Sequence, residues 1–185
     1  ANELDIDALL PDFVYSDNRF TDGIIELTTQ GDTARCDARL TRLMENLRRM
    51  DLHLTAQAAD NSLLISLAWD NDIRTSGASE EAFNGIINAI TQLYTNDNGK
   101  PEAHVRVQPS RVNMQGKEWE LEPSDILYSD QRLMVDQFNL RHADQHLIVD
   151  GIASKLATDS LMLDLNDIDV AYVLDLVNFH SVDFG

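Results

Sequence analysis

The sequence predicts a mainly β fold, and three observations support this prediction. Apolar and polar residues alternate along many segments, which is the period of strands that bury one face and expose the other to water. Short segments rich in Asp, Asn, Gly and Ser separate these runs at fairly even intervals. Apolar stripes at helical spacing are scarce. We therefore expect an array of repeated strands, with at most one or two short helices.

The clearest pair of strands surrounds residues 59–62. Apolar side chains occupy alternate positions from residue 51 to 56, and they do so again from residue 63 to Trp69. Asp60 and Asn61 between these runs are typical turn residues. The segment therefore predicts a β-hairpin.

Further strands are expected along the rest of the chain, where alternating or short apolar runs lie between turn residues. These runs are 104–108, 118–122, 133–135, 147–149 and 161–165. Residues 60–67 also resemble residues 159–165 in composition and order, which indicates a weak internal repeat. We treat residues 1–185 as a single fragment with possible sub-repeats at 1–100 and 101–185.

Two segments fit more than one interpretation. The apolar residues of 79–94 form a helical stripe with Ser79 as N-cap, but the same stretch alternates, and Asn84 and Gly85 are poor helix formers. Both interpretations stay open here. Near the end, apolar residues recur at helical spacing from Ile168 to Val177 and predict one or two helical turns.

Charge and length limit the classes of function. The chain has 185 residues, enough for one domain, with 32 acidic residues against 14 basic ones and a formal net charge of -18. Such a surface repels phosphate backbones, so nucleic acid is a poor partner. No apolar run approaches the roughly 20 residues of a membrane-spanning helix. The chain begins at Ala1 without a signal-like segment, and we interpret it as a fragment of a longer protein.

The sequence predicts no catalytic residues, no metal site and no cofactor. Asp70, Asn71, Asp72 and Glu81 imitate a calcium-binding loop, but the fifth position lacks an oxygen ligand and the sixth lacks Gly. His142 and His146 are four residues apart, but they flank an expected strand connection, where this spacing does not bring two imidazoles together.

Other chemical signals are also missing. The single Cys36 has no neighbouring His or Cys, and no nucleophile elbow or phosphate-binding Gly-rich loop occurs. His53 and His104 fall on the polar positions of their strands, so we expect both to face solvent. We therefore expect a protein that is not an enzyme.

The apolar strand positions are the remaining candidates for a functional surface. They either fill a closed sandwich core or line an open, concave sheet that receives acyl chains or an apolar polypeptide strand. The candidate groove residues are Leu52, Leu54, Leu63, Ile65, Leu67, Val105, Val107, Leu133, Val135, Leu147, Val149, Leu161, Leu163 and Leu165.

Several short segments resemble a known family. HLIVDGIAS at 146–154, DSLMLDLNDID at 159–169 and LDLVNF at 174–179 look like repeats of the TamB family, in the form found in Bacteroidetes. TamB is the inner-membrane subunit of the translocation and assembly module and belongs to the AsmA-like proteins. Shorter matches are LDI at 4–6, LLPDF at 9–13 and PEAHV at 101–105. The resemblance therefore extends over most of the chain.

The resemblance implies both a fold and a function. The fold would be a β-taco, which is a curled β-sheet trough with a hydrophobic inner face and a polar outside. The parent protein would be anchored in the inner membrane of a Gram-negative bacterium and would cross the periplasm to an outer-membrane partner of the BamA class, such as TamA. Its cargo would be phospholipid acyl chains or nascent outer-membrane β-strands. The alternative from a different class is a structural or adhesive β-module with a closed core and a protein-binding outer surface.

Overall fold

The computed structural model describes residues 3–15, 18–44, 48–71 and 82–168, and these residues form one antiparallel β-sheet. A mainly β fold is therefore confirmed. The strands are β1 (Asp5–Tyr15), β2 (Asn18–Gln30), β3 (Thr33–Leu43), β4 (Arg49–Ala59), β5 (Ser62–Asp70), β6 (Phe83–Thr95), β7 (Pro101–Val107), β8 (Ser110–Met114), β9 (Lys117–Leu121), β10 (Ser124–Ser129), β11 (Arg132–His142), β12 (Gln145–Ala153) and β13 (Leu161–Asn166).

The sheet is a meander in which each strand pairs with the next along the chain, except that β7 does not pair with β8 and β9 does not pair with β10. The order is β1-β2-β3-β4-β5-β6-β7-β10-β11-β12-β13, and the β8–β9 hairpin lies between β6 and β11 at one end. β7 and β8 lie end to end along β6, and β9 and β10 lie end to end along β11. Pro109 and Pro123 stand at the two breaks. Proline has no N–H to donate, so each proline interrupts a ladder that the neighbouring residues continue.

Tight turns fix the register of the meander. The turns at Asp60–Asn61, Gln115–Gly116 and Asp130–Gln131 have positive φ at both central residues, as type I′ hairpin turns require. This geometry matches the right-handed twist of the strands that it joins. The hairpin predicted around residues 59–62 is thus confirmed, with Ala59 paired to Ser62.

Two bulges change which positions of a strand face which side. Between Thr21 and Ile24, β2 has one more residue than β3, and between Val135 and Phe138, β11 has one more than β12. Gln137 in the second bulge has a φ of 47°, and its N–H donates a hydrogen bond to Asp150 Oδ1 over 3.0 Å. An extra residue moves the apolar side chains from odd to even positions, or the reverse, within one strand.

The structure resolves one of the two ambiguous segments. Residues 83–95 form strand β6, so the strand interpretation of 79–94 is correct over the described part, and residues 79–81 lie outside it. The helical turns expected at 168–177 lie outside the described residues except for Ile168. The sheet runs through residue 100 by the β6–β7 pairing, and the division into two sub-repeats stays a prediction.

The core lies on one face of the sheet, towards one end. Its buried residues are Met50, Phe83, Val112, Met114 and Trp119, and Ile168 packs against them. Met50 belongs to β4 and Ile168 follows β13, although many strands lie between them in the sheet order. The described residues provide no second layer over this face. Burial of this kind is consistent with a sheet that curls towards its apolar side.

Candidate functional site: the apolar face of the sheet

The pairing places all fourteen predicted groove residues on one face of the sheet, which we call the apolar face. Directly paired residues point to the same side. Leu54 on β4 pairs with Leu67 on β5, and Val149 on β12 pairs with Leu163 on β13. The intermediate strands connect them through Ile87, Ala89, Val107, Val105, Ile126 and Val135, as the registers of β5 to β11 require.

The fourteen residues differ in how far solvent reaches them. Val107 and Val135, near the middle of the sheet, are 5% and 7% exposed. Leu54, Leu67, Leu161 and Leu163 are exposed, with Leu163 at 56%. The remaining eight are half-buried: Leu52, Leu63, Ile65, Val105, Leu133, Leu147, Val149 and Leu165. The apolar face is therefore filled at its centre, on β7 and β11, and open on either side of that centre, on β4 and β5 and on β13.

Sequence reasoning missed part of this face. Ile25 and Leu27 on β2 pair with Ala38 and Cys36 on β3, which continue the face towards the N-terminus. Leu121, the most deeply buried of the described hydrophobic residues at 2% exposure, pairs with Leu140. The alternation in residues 23–27 is visible in the sequence. The bulge before it shifts the positions of β2 that face the apolar side by one residue, so the alternation does not continue through the whole strand.

Among the residues that the structure describes, four polar groups are buried on the apolar face without a hydrogen-bond partner. They are the indole N–H groups of Trp69 and Trp119 and the hydroxyls of Thr91 and Ser124. Trp69 lies over Gly85, where an added Cβ would come within 2.9 Å of its ring. A buried donor without a partner costs about 1–3 kcal/mol. The centre of the face is therefore not a purely hydrocarbon core.

The opposite face, which we call the polar face, carries three His–Asp pairs between neighbouring strands. His53 Nε2 lies 3.0 Å from Asp37, His104 Nε2 lies 3.0 Å from Asp125, and His146 Nε2 lies 3.3 Å from Asp164. In each pair the His stands two residues before the residue that pairs directly with the Asp. The positions expected for His53 and His104 agree with this face.

Arginines join two of these pairs. Hydrogen bonds from His53, together with the nearby Arg39 guanidinium, hold the pKa of Asp37 below its usual value. Hydrogen bonds from Arg106 and then His104 lower the pKa of Asp125 in the same way. The polar face therefore carries Arg–Asp ion pairs and His–Asp contacts that suit contact with water.

Two depressions of about 630 Å³ each open on the polar face, and both span β2 to β6. Their walls are mixed, with hydroxyl, amide and charged groups such as Thr55, Asn88 and His53 next to Leu64 and Ile86. They were not predicted from the sequence. Their polar walls do not suit acyl chains.

The metal-like patterns in the sequence do not form a metal centre in the described residues. His142 lies on the apolar face, with Nδ1 2.7 Å from the carbonyl oxygen of Glu118, whereas His146 lies on the polar face. Within the same ranges, no group of three or more His, Cys, Asp and Glu side chains is placed to hold a metal ion. The calcium-loop imitation runs from Asp70 into residues 72–81, which lie outside the described part.

A search of the described residues for a helix long and apolar enough to cross a membrane finds none. Comparison of the chain with protein-family models, with curated proteins and with solved structures finds no match. The geometry of the two faces therefore carries the functional proposal.

Proposed function

We propose that this chain is a non-enzymatic segment of a TamB-like envelope protein, whose apolar face holds hydrophobic cargo during transfer between membranes. The observation that carries the proposal is the arrangement of the sheet. Fourteen apolar side chains from six strands share one face, and the opposite face carries cross-strand pairs of His or Arg with Asp. Transfer along such a surface needs hydrophobic contact and no bond-making.

The open sides of the apolar face support a role in binding. Leu54 and Leu67 at one side, and Leu161 and Leu163 at the other, stay exposed although they point the same way as the buried core. Contiguous exposed apolar surface of this kind marks a binding site more often than a passive surface. Phospholipid acyl chains and nascent outer-membrane β-strands are the two cargoes that fit it.

The cellular setting of the proposal follows from the resemblance of residues 146–154 and 159–169 to TamB repeats. The chain would work in the periplasm of a Gram-negative bacterium, as part of a protein anchored in the inner membrane. Its partner would be an outer-membrane protein of the BamA class. The net charge of -18 keeps the polar face soluble and disfavours nucleic acid.

A second function has an observation in its favour. The cluster around Trp119 and Val112 fills one end of the apolar face, which is what a closed structural or adhesive β-module needs. In that case the exposed leucines are a margin of the core, and the polar face is the binding surface. The two functions differ in whether the apolar face accepts a ligand.

The decisive experiment measures lipid that co-purifies with the protein from a Gram-negative host, by native mass spectrometry and lipid extraction. We expect bound phospholipid, and we expect Leu163→Asp to reduce the bound fraction by at least about tenfold, because a carboxylate does not tolerate acyl contact. Ile65→Asp should act in the same direction. A lipid-free protein that also fails to bind an apolar dye would favour the closed module.

Each variant has a matched control on the polar face. Met162 is the neighbour of Leu163 and is 58% exposed against 56%, and Leu64 is the neighbour of Ile65 and is also exposed. Met162→Asp and Leu64→Asp add the same charge one residue away on the other side of the sheet. Equal loss of lipid from both members of a pair would show that charge alone matters and would contradict the proposal.

A further inference from the structure

Two Asn-Gly pairs of the chain have the same chemistry but different surroundings. Asn98 and Gly99 lie in the turn between β6 and β7, whereas Asn84 and Gly85 lie within β6. An asparagine before a glycine is the asparagine most prone to lose its side-chain amide, because glycine has no Cβ to hinder attack by its own backbone nitrogen. The fold decides whether each pair reaches the geometry of this attack.

The reaction needs the chain itself and water. At the turn, the backbone nitrogen of Gly99 forms a bond to Cγ of Asn98, the bond from Cγ to the side-chain amide nitrogen breaks, and ammonia leaves with the proton of the Gly99 N–H. The product is a succinimide ring. Water then adds to either carbonyl of this ring and opens it, which leaves aspartate in one case and isoaspartate in the other. Ring closure rotates the main chain at the asparagine, so the rate depends on how much structure this rotation has to open.

The turn between β6 and β7 leaves room for this rotation. Asn98 and Gly99 are both exposed, and nothing lies within 4 Å of a Cβ added at Gly99. The N–H of Gly99 donates a turn hydrogen bond to Asn96 O over 2.9 Å. Asn96 also holds the rest of the turn, because its Oδ1 accepts from Asn98 N over 3.0 Å and from Lys100 N over 2.9 Å. A fluctuation of this single turn is therefore enough to release the Gly99 nitrogen.

Strand β6 restrains the second pair on both sides. Asn71 N donates to Phe83 O over 3.2 Å, so Phe83 and every second residue after it bond towards β5. Gly85, which pairs with Trp69, is therefore bonded into that ladder through its N–H. Asn84 bonds towards β8 by the same alternation. The Trp69 ring also covers Gly85, where an added Cβ would come within 2.9 Å of it. Rotation at Asn84 thus has to open a central strand of the sheet.

We propose that Asn98 deamidates spontaneously in the folded protein and that the fold protects Asn84. The new carboxylate lies in the wall of a depression of about 600 Å³ that Arg132 and Lys155 also line, so the modification changes the charge of this depression. Isoaspartate in addition lengthens the main chain before Gly99 and disturbs the turn. Because ammonia is lost to the solvent, the modified fraction grows with the age of the protein. Neither the cargo nor the parent protein enters this chemistry, so it is independent of the proposed function.

Incubation of the whole chain at neutral pH in water labelled with heavy oxygen, followed by mass spectrometry of its peptides, measures both sites in one sample. Each succinimide that opens takes up a labelled oxygen, so new deamidation is distinguished from aspartate that was present at the start. We expect labelled product to form at least about tenfold faster at Asn98 than at Asn84, because a turn opens more easily than a central strand. Equal rates at the two sites, or no labelled product at Asn98, would overturn the proposal.

The same measurement in guanidinium chloride separates the effect of the fold from that of the sequence. Both asparagines are followed by glycine, so the two rates should become similar once the chain is unfolded. The rate at Asn84 should therefore rise far more than the rate at Asn98. If Asn84 stays unreactive in the unfolded chain, its neighbours in the sequence protect it, and the protection that we assign to the fold is wrong.

Two substitutions of Asn96 test whether the turn limits the reaction. Asn96→Ala removes the oxygen that accepts from Asn98 N and Lys100 N, and the loosened turn should deamidate roughly three to ten times faster. Asn96→Asp keeps an acceptor at the same place and should change the rate little. Asn98→Gln, whose longer side chain would have to close a larger ring, should abolish the labelled product at this site. An equal rate in Asn96→Ala and in the unchanged protein would contradict the role that we assign to the turn.

Discussion

The centre and the sides of the apolar face have the same alternation of residues but a different environment. In the centre, β6 to β11 bury Val107, Leu121 and Val135 to between 2% and 7% exposure. At the sides, Leu54 on β4 and Leu163 on β13 point the same way but are 36% and 56% exposed. A single sheet thus contains a stabilising core and an accessible apolar margin. We expect substitutions to act on stability in the first region and on binding in the second.

The largest predicted difference between the two regions is in the cost of removing a leucine side chain. Leu121→Ala should destabilise the protein by about 3–4 kcal/mol, because it leaves a cavity in the filled centre. Leu163→Ala should cost no more than about 1 kcal/mol, because much of that side chain is already in water. Urea denaturation of both variants, followed by circular dichroism, measures the two values.

The comparison requires that both variants unfold with an unchanged dependence on urea concentration, which shows that the same surface is exposed. If the two substitutions lower the free energy of unfolding by the same amount, the difference in burial does not affect stability, and the division into centre and sides is wrong. Leu9→Ala on β1 is a useful third variant, because Leu9 is exposed on the polar face and should behave like Leu163.

A smaller effect is expected at two glycines with positive φ, Gly151 within β12 and Gly99 in the turn between β6 and β7. Gly151 on β12 has a φ of 112°, and a Cβ at this position would meet the carbonyl oxygen of Ser160. Gly151→Ala should therefore cost about 2–3 kcal/mol, from strain and from loosening of β13. Gly99→Ala, at a φ of 75° with nothing within 4 Å of the added Cβ, should cost about 1 kcal/mol.

Hydrogen exchange distinguishes a local from a global effect of Gly151→Ala. We expect faster exchange in β12 and β13 and unchanged exchange in β4 to β6, since open margins unfold separately more easily than a packed centre. Uniform acceleration across the sheet would mean that the margin and the centre unfold as one unit.

The sequence predicted the strands and their faces better than it predicted burial. Alternation is a local property, so Ile65, Leu67 and Val149 were placed on the correct side from their spacing alone. Burial depends on the curvature of the whole sheet, and no local pattern records that curvature. The difference in exposure between Val135 and Leu163 could therefore not be predicted from the sequence.

Two local features explain the remaining gaps. Ile86 and Ile90 lie on the polar face beside Ala68 and Leu64, so β6 has apolar residues on both faces and imitates a helical stripe. The breaks at Pro109 and Pro123 and the bulge at Gln137 each shift the alternation by one position. Alternation by itself favoured a closed sandwich, and the curled sheet was an expectation that the family resemblance implied.

The smallest predicted effect concerns the polar face and its dependence on pH. The pKa of Asp125 in the folded protein is lowered by Arg106 and His104, and that of Asp37 by His53 and Arg39. A lowered folded pKa means that the charged pair stabilises the fold above the unfolded value of about 3.9. This stability is then lost as the pH falls from about 5 through the folded pKa.

Each exposed pair contributes only about 0.2–1 kcal/mol, so the test uses both at once. The double variant Asp37→Asn, Asp125→Asn should have a lower urea midpoint than the unchanged protein at pH 7, and the two midpoints should converge below pH 3. A difference that persists in acid would mean that the two carboxylates act through packing or turn geometry instead of charge. Because both pairs lie on the polar face, lipid bound to the apolar face should not respond to the substitutions, and this independence separates the roles of the two faces.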